Sequence, residues 1–187
     1  EVKSQGSYPT DAGWAVAYYA ATTEWALTIN QYRKPLVTAF AYDPVFHNGM
    51  AQEDTSVCTH SVFLADVLTS MVETEGKRLN INRSSCAGSA GYDPSHSLMD
   101  FTEVSRLSGR DNTHEDNITA VKFAIASYHP VIFGMFTPAS FTNVGDDGIW
   151  NPSEDDLKNL DVHHGHAMVV VGYDNNVAGG AFRVVNS

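Results

Sequence analysis

Four short stretches hold residue types that could do chemistry together: Gln5-Gly6-Ser7, Asp11-Ala12-Gly13-Trp14-Ala15, Gly165-His166-Ala167-Met168 and Phe182-Arg183-Val184-Val185-Asn186-Ser187. They supply a carboxylate, an imidazole and two primary amides. Of these, the imidazole changes charge near neutral pH, and each amide can both donate and accept hydrogen bonds. Asp11 stands where an apolar run begins, and a helix N-terminus favours negative charge by roughly 0.3–1 kcal/mol. Other chemistries are less well served. The chain has neither CxxC nor HExxH spacing. His163, His164 and His166 with Asp161 contain the elements of a ligand set, but loop histidines are more often solvated, so no metal is expected. The acidic stretch 145–156 (GDDGIWNPSEDD) lacks the EF-hand pattern and reads as a solvated charge run rather than a calcium site. Two cysteines, Cys58 and Cys86, could form one disulfide or remain two buried thiols.

Elements that could position these groups are legible from periodicity. Residues 12–29 read as a buried helix, with Ala12, Ala15, Val16, Tyr19, Ala20, Thr23, Ala26 and Leu27 at helical spacing. Thr10 or Asp11 can serve as its N-cap, and Pro9 stops a helix from arriving earlier. Residues 61–75 form a second helix ended by Gly76. Residues 77–98 read as a long irregular loop, and 115–128 as a third helix with Ile118, Val121, Ala124 and Ile125 on one face. The character then changes. Residues 131–136, 168–173 and 181–185 read as strands, separated by the acidic loop 143–161 and the turn 175–180. Helices first and strands last make an α+β protein of two lobes. Trp14 and Trp25 read as core, and Trp150 as an exposed aromatic.

Composition narrows the function classes. The formal net charge of −11, from 11 basic and 22 acidic residues, argues against nucleic acid and against anionic membranes as partners. Hydrophobic residues make up 43% of the chain, too many for disorder, and no apolar run is long enough for a membrane span. The first residues carry no signal-peptide pattern, so a leader, if the precursor had one, has been removed.

Taken in order, the four stretches resemble the papain-like cysteine peptidases, above all their bacterial branch. In that family a Gln lies six residues before the nucleophilic Cys, and the Cys opens a long helix and is followed closely by Trp-Ala. A His-Ala pair opens a strand ending in VGYD, and an Asn follows in an NSWG motif. This chain has Gln5, Trp14-Ala15, His166-Ala167, Val171 to Asp174 and Asn186-Ser187, with a Pro130-Val131 strand between. The resemblance covers nearly the whole chain. It implies the two-lobed papain-like α+β fold as one domain over 1–187, with a helical lobe of about 10–100. The β-rich lobe takes about 101–187 plus an N-terminal strand in 1–9. It also implies roles: His166 as base, Asn186 orienting the imidazole, and Gln5 donating to the oxyanion. A secreted or cell-surface protein of bacterial type, with no cofactor, goes with that reading, as does a Cys58–Cys86 disulfide within the helical lobe.

The departure lies at the nucleophile. Six residues after Gln5 stands Asp11, not Cys, and the alternative frame, directly before Trp14, gives Gly13. Neither offers a thiol. An aspartate facing His166 would form a carboxylate–imidazolium pair that mimics the charges of thiolate–imidazolium without an effective acyl-transfer nucleophile. Two further departures follow. Cys58 is followed by Thr59, His60 and Ser61 where the family has a glycine pair, and the family pattern continues past Ser187 with Trp-Gly and more strands. The resemblance thus implies a pseudo-peptidase whose interlobe cleft binds a peptide or protein ligand. Two alternatives stand beside it. One is an active cysteine peptidase whose nucleophile is misassigned or substituted. The other is a carbohydrate-binding or adhesion module, for which the acidic loop and Trp150 speak. Asp11 and His166 are expected to face each other at the start of the first helix.

Overall fold

The computed structural model describes residues 2, 4–28, 41–42, 61–73, 77–79, 91–92, 101–102, 104, 114–145, 147–159 and 165–187. The expected disulfide of Cys58 and Cys86, the histidines His163 and His164 with Asp161, and the stop at Gly76 lie outside the described residues. Within them the protein is α+β, with helices and two three-stranded antiparallel sheets.

The first helix, α1, runs in three contiguous segments: α-helical Asp11–Gly13, π-helical Trp14–Ala20 and α-helical Ala21–Thr28. Pro9 precedes it, and Thr10 occupies the N-cap without a side-chain capping bond. Its carbonyl accepts the first helical bond, from Trp14 N at 3.0 Å. Every residue from 11 to 20 is buried. The wide π turn carries Trp14 over both Tyr18 and Tyr19, with ring centroids 5.1 and 6.4 Å away, and Tyr18 meets Tyr19 edge-on at 5.0 Å. This run is longer than the single-turn bulges in which π geometry usually occurs. The helical period was readable from the sequence, but the π register was not.

Around α1 the core closes from two sides. Helix α2 (Leu64–Glu73) contributes Val67 and Met71, four residues apart on one face and almost fully buried. Strand β5 (Gly165–Asp174) contributes Ala167 and Val169 to the same cluster. Alanines and a glycine fill the start of α1, so the sheet can approach its backbone closely. Helix α3 (His114–Ala126) packs on β5 and on β4 (Val131–Phe136). It ends in a Schellman motif: His129 N donates to Ala124 O, Tyr128 N donates to Ile125 O, and Tyr128 sits at φ 68°. Pro130 then starts the next strand.

The larger sheet has the order β4 (Val131–Phe136), β5 (Gly165–Asp174), β6 (Ala181–Val185), all antiparallel. Four successive residues of β5, Ala167 to Val170, are buried, as expected of a central strand covered on both faces. A bulge at Val171 separates the pair Val170↔Val184 from Gly172↔Arg183. The β5–β6 loop, residues 175–180, places Ala178, Gly179 and Gly180 at φ 48°, 81° and 122°, and Gly180 N donates to Val177 O at 2.7 Å to close a tight turn. Lys122 of α3 reaches Asn175 at 2.7 Å in this loop and lies over the Tyr173 ring. The smaller sheet joins β1 (Ala41–Tyr42), β2 (Lys77–Leu79) and β3 (Gly91–Tyr92).

Three sequence expectations need correction. Residues 4–10 form turns and bends, not an N-terminal strand, because Gly6 reverses the chain at φ 71° and Pro9 withholds a donor. The irregular stretch 77–98 contains the short strands β2 and β3. The acidic loop holds a helix, α4 (Glu154–Lys158), built on a capping box: Ser153 Oγ accepts from Asp156 N, and the Asp156 carboxylate accepts from Ser153 N.

Among the described residues no helix is long and apolar enough to cross a membrane.

Candidate functional site

The N-terminus of α1 abuts the start of β5, and this is where the expected site residues meet. Asp11 is buried in the first helical turn, where the macrodipole favours its charge. Its Oδ2 accepts a hydrogen bond from Ala167 N at 2.7 Å, across 156 positions of sequence. The same oxygen lies 3.7 Å from His166 Nδ1, an ion-pair contact rather than a full hydrogen bond. The two side chains keep only 11% and 20% of their surface exposed, so the pair is poorly screened by solvent.

The second ring nitrogen is also held. His166 Nε2 lies 2.6 Å from Asn186 Oδ1. With the Asn186 amide in this orientation its carbonyl oxygen accepts, and Nε2 carries the proton. Sheet register explains the encounter: β6 runs antiparallel with Val185 opposite Val169, which delivers Asn186 beside the beginning of β5. With Nε2–H committed, a neutral ring would turn its Nδ1 lone pair toward a carboxylate. Protonation at Nδ1 removes that repulsion. The His166 pKa accordingly stands above its ordinary value. The Asp11 carboxylate is the largest cause, burial opposes it, and the Asn186 bond adds to the rise.

Gln5 stands next to this chain of contacts but is not bonded into it. Its Oε1 accepts from Ser187 Oγ at 2.5 Å, and its Nε2 donates to Tyr8 O at 3.0 Å within the N-terminal turn. Sequence neighbours Asn186 and Ser187 therefore anchor two different groups, the imidazole and the Gln5 amide. The structure brings Asp11, His166 and Asn186 into direct contact and links Gln5 to the same chain end through Ser187.

Two contacts escaped sequence reasoning. The Ala167 N–H on Asp11 is a backbone donor, which carries no residue signature. The Ser187 hydroxyl on Gln5 concerns a residue quoted only as part of Asn-Ser. Trp150 is a correction. It is half-buried rather than an exposed aromatic, because Nε1 donates to Ser140 Oγ at 3.2 Å and the ring meets Phe141 edge-on at 5.0 Å. Among the described residues no group of three or more His, Cys, Asp or Glu side chains is placed to hold a metal.

The arrangement can hold an imidazolium between a carboxylate and an amide oxygen. Among the described residues it offers no thiol or hydroxyl on the imidazole. No protein-family model, curated protein sequence or solved structure matches this chain.

Proposed function

We propose that this chain is a papain-like pseudo-peptidase: a two-lobed framework whose interlobe cleft binds a peptide or protein ligand but does not hydrolyse it. In this reading the helical lobe covers about 10–100 and the β-rich lobe about 101–187 with residues 1–9. The observation that carries it is the order of contacts on one imidazole. Nδ1 faces the side chain at the start of a buried helix, and Nε2 is held by an asparagine just after a strand. In the papain-like peptidases those two places belong to the nucleophile and the orienting residue. Here the first is a carboxylate.

A carboxylate in that place fails for two reasons. Attack on an amide would give an anhydride while expelling an amine, a poor exchange near neutral pH. Asp11 Oδ2 is also already engaged by Ala167 N–H and the imidazolium. Peptide binding would use the backbone hydrogen bonds by which clefts of this kind hold extended segments. Secretion or surface display by a bacterial-type cell belongs to the same reading. The intact His166–Asn186 bond favours a second reading, an active cysteine peptidase with its nucleophile substituted at position 11.

The test compares the Asp11 protein with Asp11→Cys. Both are offered a diverse peptide library and a thiol alkylator at mildly acidic pH, with peptide mapping of the label. The Asp11 protein should cleave nothing. Asp11→Cys should label at position 11 faster than at Cys58 or Cys86, because the helix N-terminus and His166 stabilise its thiolate. Slow labelling at position 11 would overturn the reading, and robust hydrolysis by the Asp11 protein would show an active peptidase with another nucleophile.

A further inference from the structure

We propose that Asp11, His166 and Asn186 form a pH-released fastener between the N-terminus of α1 and the β4-β5-β6 sheet. This does not rest on the peptidase reading; it follows from what the three side chains hold together. The contacts join segments 156 and 20 positions apart. One end is the entrance of a helix whose first ten residues are buried. The other is the central strand of the sheet, and the third point is the residue that follows its edge strand.

The charge state of His166 decides whether the fastener is closed. With the ring protonated, Nδ1–H⁺ faces the Asp11 carboxylate and Nε2–H donates to Asn186. With the ring neutral, either Nδ1 presents a lone pair to the carboxylate, or Nδ1–H stays as an uncharged donor and the Asn186 amide must turn over to offer its N–H to Nε2. In both tautomers the charge pair with Asp11 is lost. Among the described residues the elements packed around the ring offer no other charge to compensate. Across the strand pair, β4 places Met135 opposite His166. Past β6 stands neutral Asn186, and the N-terminal turn contributes neutral Gln5 through Ser187. Among the described residues Asp11 is the charged group that acts on the ring.

The direction follows from linkage. The folded state holds the His166 proton more tightly than the unfolded chain does. The added stability is complete below the unfolded value of about 6.5 and is lost as pH rises through the higher folded value. Each pH unit between the two values is worth about a tenfold change in the folded-to-unfolded ratio. Deprotonation removes the charge pair at the helix entrance and leaves the Ala167 N–H bond to Asp11 to hold that junction alone.

The experiment is a histidine-detected NMR titration of the full chain, with His166 assigned from the His166→Gln spectrum, run beside thermal unfolding from about pH 5.5 to 9. The chain has eight histidines, so the comparison with Asp11→Asn isolates this one. Asparagine keeps an acceptor for Ala167 N–H and removes only the charge. In the native chain His166 should titrate above about 6.5, and in Asp11→Asn it should fall toward that value. Native stability should drop through the window more steeply than that of Asp11→Asn. His166 titrating at or below the ordinary value in the native chain overturns the proposal, and so do parallel stability profiles for the two proteins. If Asp11→Asn does not fold, the native titration alone decides.

Discussion

The carboxylates of Asp11 and Asp156 each accept a backbone N–H bond, yet they hold together very different amounts of structure. Asp156 closes a loop of three residues: it accepts from Ser153 N at 2.8 Å and from Ser153 Oγ at 2.7 Å, all in solvent. Its pKa is lowered, first by the Ser153 backbone bond, then by the Ser153 and Ser140 hydroxyls. Asp11 makes fewer bonds, but they cross from the first helix to the central strand of the sheet and leave little surface exposed. The acid on the surface defines one short helix. The buried acid joins two layers of the fold and couples their contact to a proton. What a hydrogen bond contributes to the whole molecule depends on the segments it joins and the water it excludes, more than on its length.

The largest expected effect comes from breaking the buried member of this comparison. Asp11→Ala leaves Ala167 N–H without its acceptor and an imidazolium without its counter-charge. It should cost about 2–4 kcal/mol at pH 6, read from urea unfolding midpoints. The loss should shrink by pH 9, where the native protein has already given up the charge pair. A loss of equal size at both pH values would show that the carboxylate serves only as a backbone acceptor.

A smaller and local effect is expected at the surface. Ser153→Ala removes the N-cap of α4 and should cost that helix about 1 kcal/mol. Amide exchange at Asp156 and Leu157 should accelerate accordingly, while exchange in β5 stays unchanged. Spread of the effect into β5 would mean that the acidic segment is coupled to the core and that the contrast drawn here is too sharp.

The smallest effect sharpens the contrast from outside both networks. Tyr128 is largely exposed and holds a left-handed conformation at the Schellman end of α3. Tyr128→Gly should raise stability by about 0.5–1 kcal/mol at every pH from 6 to 9. It serves as a control whose pH profile must run parallel to that of the native protein.

Local structure was largely legible in the sequence. Strands Val131–Phe136 and Ala181–Val185 have the bounds expected from their β-branched and aromatic runs, and α1 falls one residue from its expected limits. Other features had no local signature. The π register of Trp14–Ala20 depends on how three aromatic rings pack. Strand β5 begins at Gly165, three residues before its apolar run, because pairing with β4 extends it. One miss was avoidable: Ser153-x-x-Asp156 spells a capping box inside what looked like a charged loop. The meeting of Asp11, His166 and Asn186 was anticipated only through a family resemblance. No periodicity links residues so far apart, and the backbone donor of Ala167 is invisible to any reading of side chains.

The bulge at Val171 determines where this chain can lose a residue. Before it, Ala167 and Val169 face the α1 core while Met168 and Val170 point the other way. After it, the pairing Gly172↔Arg183 resumes with the alternation inverted. Deleting Val171 would therefore restore an unbroken ladder and leave every other strand residue on its present side. Because residues 169–171 are three valines, loss of any one of them gives the same sequence and the same unbroken ladder, with His166 kept beside Asp11 and Asn186. The valine run is thus the place where this strand can shorten without moving the imidazole.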